Sequence, residues 1–120
     1  MVEATCHCGA VRIAFPKLDL ASARRCDCSM CRRRGAIAVT VPREDLTIVS
    51  GETLRLYQFH THTAEHYFCS VCGIYTHHRR RSNPNECGVN IACVDGVDIR
   101  SVEWSWVDGA NHENDRIPET

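Results

Sequence analysis

Seven of the nine cysteines fall into three clusters, and these carry the chemistry the chain can do. They are Cys6-x-Cys8-Gly9, Cys26-x-Cys28-x-x-Cys31 and Cys69-x-x-Cys72-Gly73. The first and third are alike, two thiols followed by a glycine. Glycine allows φ > 0, so the chain can turn back and aim both sulfurs at one point. Two such knuckles supply four thiolates, a closed tetrahedral zinc site. Such a metal ties the N-terminus to the middle of the chain, a structural task in which metal binding is coupled to folding.

The middle cluster, "CDCSMC", has three thiols and no matching pair. Structural zinc sites are closed, whereas catalytic ones keep three protein ligands and a free position. An open tris-thiolate zinc keeps a net negative charge and is a weak Lewis acid. It suits holding a soft ligand such as a substrate thiol. Cys31 falls in a first helical turn, where the helix dipole favours negative charge. Arg32, Arg33 and Arg34 follow at once, placed to offset that charge or grip the carboxylates of a ligand. Three alternatives stand beside this reading. Cys87 or Cys93 completes the middle site and makes it structural, the thiols hold an iron–sulfur cluster, or they pair as disulfides. The histidines form a second tier. His60 and His62 share a predicted strand face, and His66, His77 and His78 lie near the third cluster, where any of them could shuttle a proton. Against this stands the ordinary role of a surface or hydrogen-bonded histidine. "HHRRR" (77–81) lacks interleaved aromatics and a groove-reading helix, so nucleic acid is not the expected partner.

These residues sit in a chain of 120 residues, room for one domain with a modest core. The expected organisation is a single domain over 1–120 with a loose polar tail from about 110. The N-terminus lacks a basic start followed by an apolar core, so no signal peptide is expected. No apolar run nears the roughly 18 residues that a membrane span needs. The expectation is a cytoplasmic protein whose thiols stay reduced for metals or catalysis. Residues 1–81 hold 12 of the 14 basic residues and 7 of the 15 acidic ones, a net of +5. That asymmetry reads either as an ordinary solvated surface or as a basic face for an anionic ligand.

Short alternating segments predict strands at 10–15, 36–42, 54–60, 66–69, 74–78, 88–94 and 97–106. Asp95-Gly96 reads as a hairpin turn. Trp104 and Trp106, on one predicted strand face, are expected in the core. A short helix is expected from Ser29 as N-cap to Gly35 as the stop. The class is all-β, mainly antiparallel strands with one short helix.

The sequence "CHCGAVRI … CDCSMCRRRGA … SGETLRLYQF … HYFCSVCGIYTHHRRRSNPNECGVNIACVDGVD" resembles the glutathione-dependent formaldehyde-activating enzyme family, also called the centromere protein V family. The resemblance runs from about Thr5 to about His112. It implies a zinc-stabilised β-tent fold and two Zn²⁺ ions. The structural zinc would sit on Cys6, Cys8, Cys69 and Cys72, and the catalytic zinc on Cys26, Cys28 and Cys31. It further implies a carbon–sulfur lyase acting in reverse, condensing formaldehyde with glutathione to S-hydroxymethylglutathione. The low-molecular-weight thiol and aldehyde are then the partners, with Arg32, Arg33, His66 and His78 as candidate substrate-binding residues. Two other functions fit the same residues: a zinc-dependent imine or related hydrolase, and a non-catalytic zinc-stabilised module docking through its basic face. The oligomeric state is left open.

Overall fold

A computed structural model describes residues 1–111. The expected polar tail therefore falls almost wholly outside the described residues. Among the described residues, ten short strands form two sheets, with one short α-helix beside them. The smaller sheet has the order β1-β2-β5, from Val2–Thr5, Arg12–Phe15 and Thr47–Ser50. The larger has the order β10-β3-β4-β9-β8-β7-β6. Its strands are β3 (Arg24–Cys26), β4 (Ala38–Pro42), β6 (Leu54–Tyr57), β7 (Glu65–Cys69), β8 (Tyr75–Arg79), β9 (Glu86–Asn90) and β10 (Ser105–Val107). Every pairing is antiparallel except β10 with β3. The fold class is thus the expected one.

The core lies between the sheets. Ile13 and Phe15 of β2 meet Val39 and Val41 of β4 and Val89 of β9, with Val11 and Ile91 beside them, all essentially inaccessible. Burying each such side chain is worth about 1.5–3 kcal/mol. A bridge between Ala4 and Val94, and the Asp95 N–H bonded to the Glu3 carbonyl at 2.9 Å, tie the sheets together at one end. No helix among the described residues is long and apolar enough to cross a membrane.

Several local expectations are corrected. The helix α1 (Ser29–Arg34) is capped by Cys28, whose Sγ accepts the Cys31 N–H at 3.2 Å, so Ser29 is its first residue and not its cap. Gly35 closes it in the left-handed region at φ 68°, as expected. Asp95-Gly96 makes no hairpin. Two 3-10 turns, Ile91–Cys93 and Ile99–Ser101, flank it because Asn90 and Asp98 accept the N–H groups of Ala92 and Arg100 and pull the backbone out of the extended form. His60 and His62 do not share a strand. Both are left-handed, at φ 51° and 56°, in a loop closed by the Gln58 amide donating to the carbonyls of His62 and Ala64. Trp104 and Trp106 are 38% and 62% exposed rather than in the core. They form an edge-to-face pair at 5.1 Å with the Arg25 guanidinium against both rings. They lie at the outer edge of the large sheet, where β10 is the end strand among the described residues. The short strands β1, β3 and β5 were not foreseen.

Candidate functional site

The two glycine knuckles belong to different sheets. Residues 6–9 lie in the turn between β1 and β2, and residues 69–73 lead from β7 toward β8. Gly9 and Gly73 have φ 84° and 77°, the conformation that lets each pair of thiols face one point. All four sulfurs lie within 4.8 Å of one another. Cys8 Sγ is 3.6 Å from both Cys6 Sγ and Cys69 Sγ. A tetrahedral zinc with Zn–S near 2.3 Å has edges of about 3.8 Å, so the donor set fits that ion. The Thr53 hydroxyl at 3.3 Å, with the N–H groups of Cys72 and Val71, lowers the Cys69 thiol to about 6. The Val11 N–H donates to Cys6 Sγ at 3.3 Å.

Cys26, Cys28 and Cys31 form the second cluster, also within 4.8 Å of one another. Cys26 ends β3, Cys28 caps α1 and Cys31 lies one turn into the helix. Among the described residues no fourth Cys, His, Asp or Glu joins them. Hydrogen bonds from Cys26 and Cys31, then the N–H groups of Cys31 and Met30, hold the Cys28 thiol far below its usual range. Cys87 and Cys93 are buried and belong to neither cluster. Burial pushes Cys93 up to about 11, and its Sγ lies 3.7 Å from the Tyr75 carbonyl.

Beside the trio lies a cavity of about 120 Å³, lined on one side by Cys26, Cys28 and Cys31 and on others by Arg34, His66 and Tyr75. Arg34 is the hub. Its guanidinium lies over the Tyr75 ring at 3.7 Å, while Nη2 donates to Cys31 Sγ at 3.4 Å and Nη1 meets His66 Nδ1 at 3.0 Å. A guanidinium can only donate, so His66 Nδ1 accepts and the neutral ring carries its proton on Nε2. That buried Nε2 has no hydrogen-bond partner. Burial first, then the positive charge of Arg34, lowers His66 to about 4. His66 stacks on Phe59 at 5.8 Å and on His78 at 5.6 Å. His78 Nδ1 meets the Tyr75 hydroxyl at 2.6 Å, and its ring lies over Gly88, where any Cβ would strike it. Burial and Arg34 hold His78 well below its ordinary value.

The structure therefore brings His66 and His78 to the cavity with the three thiols. Arg32 and Arg33 are exposed and do not line it, and Arg33 spends Nη1 on the Ser29 carbonyl at 2.7 Å. Besides Arg34, three arginines do line it: Arg24, which sequence reasoning passed over, and Arg80 and Arg81 of the "HHRRR" stretch. Arg24 donates Nη1 to Thr40 Oγ1 at 2.8 Å and leaves its buried Nη2 unpartnered, and Arg80 is paired with Glu86 at 2.6 Å. No sequence signal marks Arg24, because the strand carrying it has three residues and no alternation.

The third histidine, His77, is 3% exposed, and its Nδ1 meets Thr76 Oγ1 at 2.9 Å. Burial lowers it to about 4. A free histidine titrates near 6.5, so between about 6.5 and 4 the unfolded chain binds the proton that the folded chain refuses. Stability is then present above the unfolded value and lost as pH falls through this window, by about 1.4 kcal/mol per pH unit for each such histidine. His77→Asn is expected to remove one proton's worth of that slope in urea titrations at pH 6.5 to 4. An unchanged slope would mean that His77 is protonated in the fold.

A mainly antiparallel β protein with one closed and one open thiol cluster defines a class of small domain able to hold metal ions. The sequence model of the family described as "Glutathione-dependent formaldehyde-activating enzyme" matches residues 1–107, and the chain belongs to that family. A Halomonas elongata protein named "Putative glutathione-dependent formaldehyde-activating enzyme" is 32% identical over 81 residues, covering 60% of this chain and 52% of that protein. The chain thus spans about half the length of that curated relative. A Rhodobacter sphaeroides protein of known crystal structure is 59% identical, with a TM-score of 0.84, covering 88% of this chain and 99% of that one.

Proposed function

We propose that this chain is a cytoplasmic zinc-dependent carbon–sulfur lyase, adding a thiol such as glutathione to an aldehyde, formaldehyde in the family's named reaction. Cys6, Cys8, Cys69 and Cys72 would hold a structural zinc, and Cys26, Cys28 and Cys31 a catalytic one. The observation that carries the reading is the open trio on the wall of a cavity, with no fourth ligand among the described residues. A zinc held by Cys26, Cys28 and Cys31 would keep a substrate thiol ionised near neutral pH.

The remaining chemistry belongs to the cavity's own residues. A new S–C bond forms, the carbonyl π pair moves to oxygen, and the thiol's proton ends on that oxygen. His66, neutral at pH 7, presents an N–H without a partner and is the group suited to donate to the developing oxyanion. Arg34 fixes the His66 tautomer and, with Arg24, makes the wall positive toward a carboxylate of the thiol substrate.

Aldehydes add to thiols unaided, so the test is acceleration. Exchange NMR on labelled formaldehyde and glutathione should show faster adduct exchange with zinc-loaded protein than with the same protein stripped of zinc. Equal rates would overturn the thiol–aldehyde lyase reading. Arg34→Gln removes charged hydrogen bonds worth about 1.5–3 kcal/mol each, so KM for the thiol should rise at least tenfold. The pair Arg32→Gln and Arg33→Gln should change KM by no more than an exposed ion pair is worth, about 0–1 kcal/mol. The reverse ranking would return the anion grip to Arg32 and Arg33.

A further inference from the structure

The one parallel pairing among the described residues brings a late segment of the chain to the open thiol cluster. Strand β10 runs beside β3 in the register Ser105↔Arg24, Trp106↔Arg25, Val107↔Cys26. Because the strands are parallel, the chain leaves Val107 in the direction that the cysteines take after Cys26. The Asp27 side chain then holds it there. One carboxylate oxygen, Oδ1, accepts the N–H groups of both Gly109 at 2.8 Å and Ala110 at 3.0 Å. From the other side Arg81 Nη2 donates to the Gly109 carbonyl at 2.9 Å.

Gly109 is buried at this crossing. A Cβ placed on it would run into Cys26 Sγ, and would lie 2.8 Å from Cys28 Cβ and 3.2 Å from the Cys28 nitrogen. Its φ is not in the left-handed region, so the requirement is for space and not for an unusual backbone. The backbone itself thus rests on two of the three thiol residues.

We propose that Gly109, pinned by Asp27 and Arg81, is a positioning strap that covers the Cys26–Cys28 side of the open cluster. It fixes the spacing of the trio and directs an incoming ligand through the cavity past Arg34, His66 and Phe59. The proposal rests on reading the trio as a zinc site. The strap lies beyond the residues that the family match covers, which end at 107. Gly109 lies on the cavity wall beside Cys26 and Cys28, and the Asp27 carboxylate faces its backbone. Both residues act through the position of the sulfurs, as outer-shell groups around metal ligands do.

The test is zinc release from the full-length, zinc-loaded chain to the chromogenic chelator 4-(2-pyridylazo)resorcinol, with melting temperature recorded in parallel. Wild type should release zinc in two phases, a faster one from the trio and a slower one from the closed site. Gly109→Ala forces the strap off Cys26, and Asp27→Ala lets it go without adding any volume. Both should weaken zinc affinity in the faster phase by about 10–100-fold, the cost usual for outer-shell changes, and leave the slower phase alone. Asp27→Asn keeps an acceptor oxygen and should restore most of the wild-type behaviour. A lower melting temperature in Asp27→Ala with the faster phase unchanged would overturn the strap and make it mere packing. A wild type that holds only one zinc would overturn the metal reading and the strap with it. If Gly109→Ala fails to fold, the contrast between Asp27→Ala and Asp27→Asn still decides the matter.

Discussion

Cys69→Ser is expected to cost the protein its cooperative unfolding. Cys69 is fully buried at the end of β7, where its N–H bonds the Ile74 carbonyl at 3.0 Å and its carbonyl receives the Gly73 N–H at 2.8 Å. Its sulfur faces Cys8, 61 residues earlier and attached to the other sheet. A metal held there clasps the two sheets together, while serine offers a poor ligand and an unmatched hydroxyl inside a set of thiolates. Structural zinc in small domains is worth about 10–16 kcal/mol, and a whole domain of this kind is stable by only about 5–15 kcal/mol. Losing the clasp is therefore comparable to losing the fold. Urea unfolding followed by circular dichroism, together with amide dispersion in NMR spectra, reads this directly. A two-state transition at the wild-type midpoint would show that the core of Ile13, Phe15, Val39, Val41 and Val89 suffices without the metal.

The clusters were legible in the sequence because a knuckle is local. Two thiols and a glycine within four or five residues fix their own geometry, whatever the rest of the chain does. The strands of the core were legible for a related reason, since "AVRIAF" and "AIAVTVP" alternate or run apolar and each has a buried face. What failed was long-range. Trp104 and Trp106 look like core residues until β10 proves to be the end strand of its sheet among the described residues. "RRC" carries no strand signal, yet it forms β3 because β4 and β10 flank it. The place of Arg34 at the cavity was legible in principle. Arg34 lies three residues after Cys31 on a helix, hence on the same face, whereas Arg32 and Arg33 are turned away. The strap at Gly109 left no trace, because its contact with Cys26 depends on a register between segments some 80 residues apart.

Cys28→Ser should have the opposite profile from Cys69→Ser: the fold stands and turnover goes. The trio lies within six residues, closes no long loop and joins no pair of sheets. Serine is, moreover, a strong helix N-cap. Its Oγ can take over the Cys31 N–H that Cys28 Sγ now accepts at 3.2 Å, so α1 keeps its start. The chemistry has no such substitute. Cys28 is the thiol on which the hydrogen bonds of the cluster converge, and two thiolates without it make a poor site for zinc. Bound zinc after loading and removal of excess metal should drop from two ions per chain to one. The adduct exchange rate should fall to that of the uncatalysed solution. The melting transition should stay cooperative and close to that of wild type. A variant that melts as badly as Cys69→Ser would make "CDCSMC" a second structural clasp. One that folds and still turns over at the wild-type rate would move the chemistry away from these thiols altogether, to the cavity wall formed by Arg34 and His66.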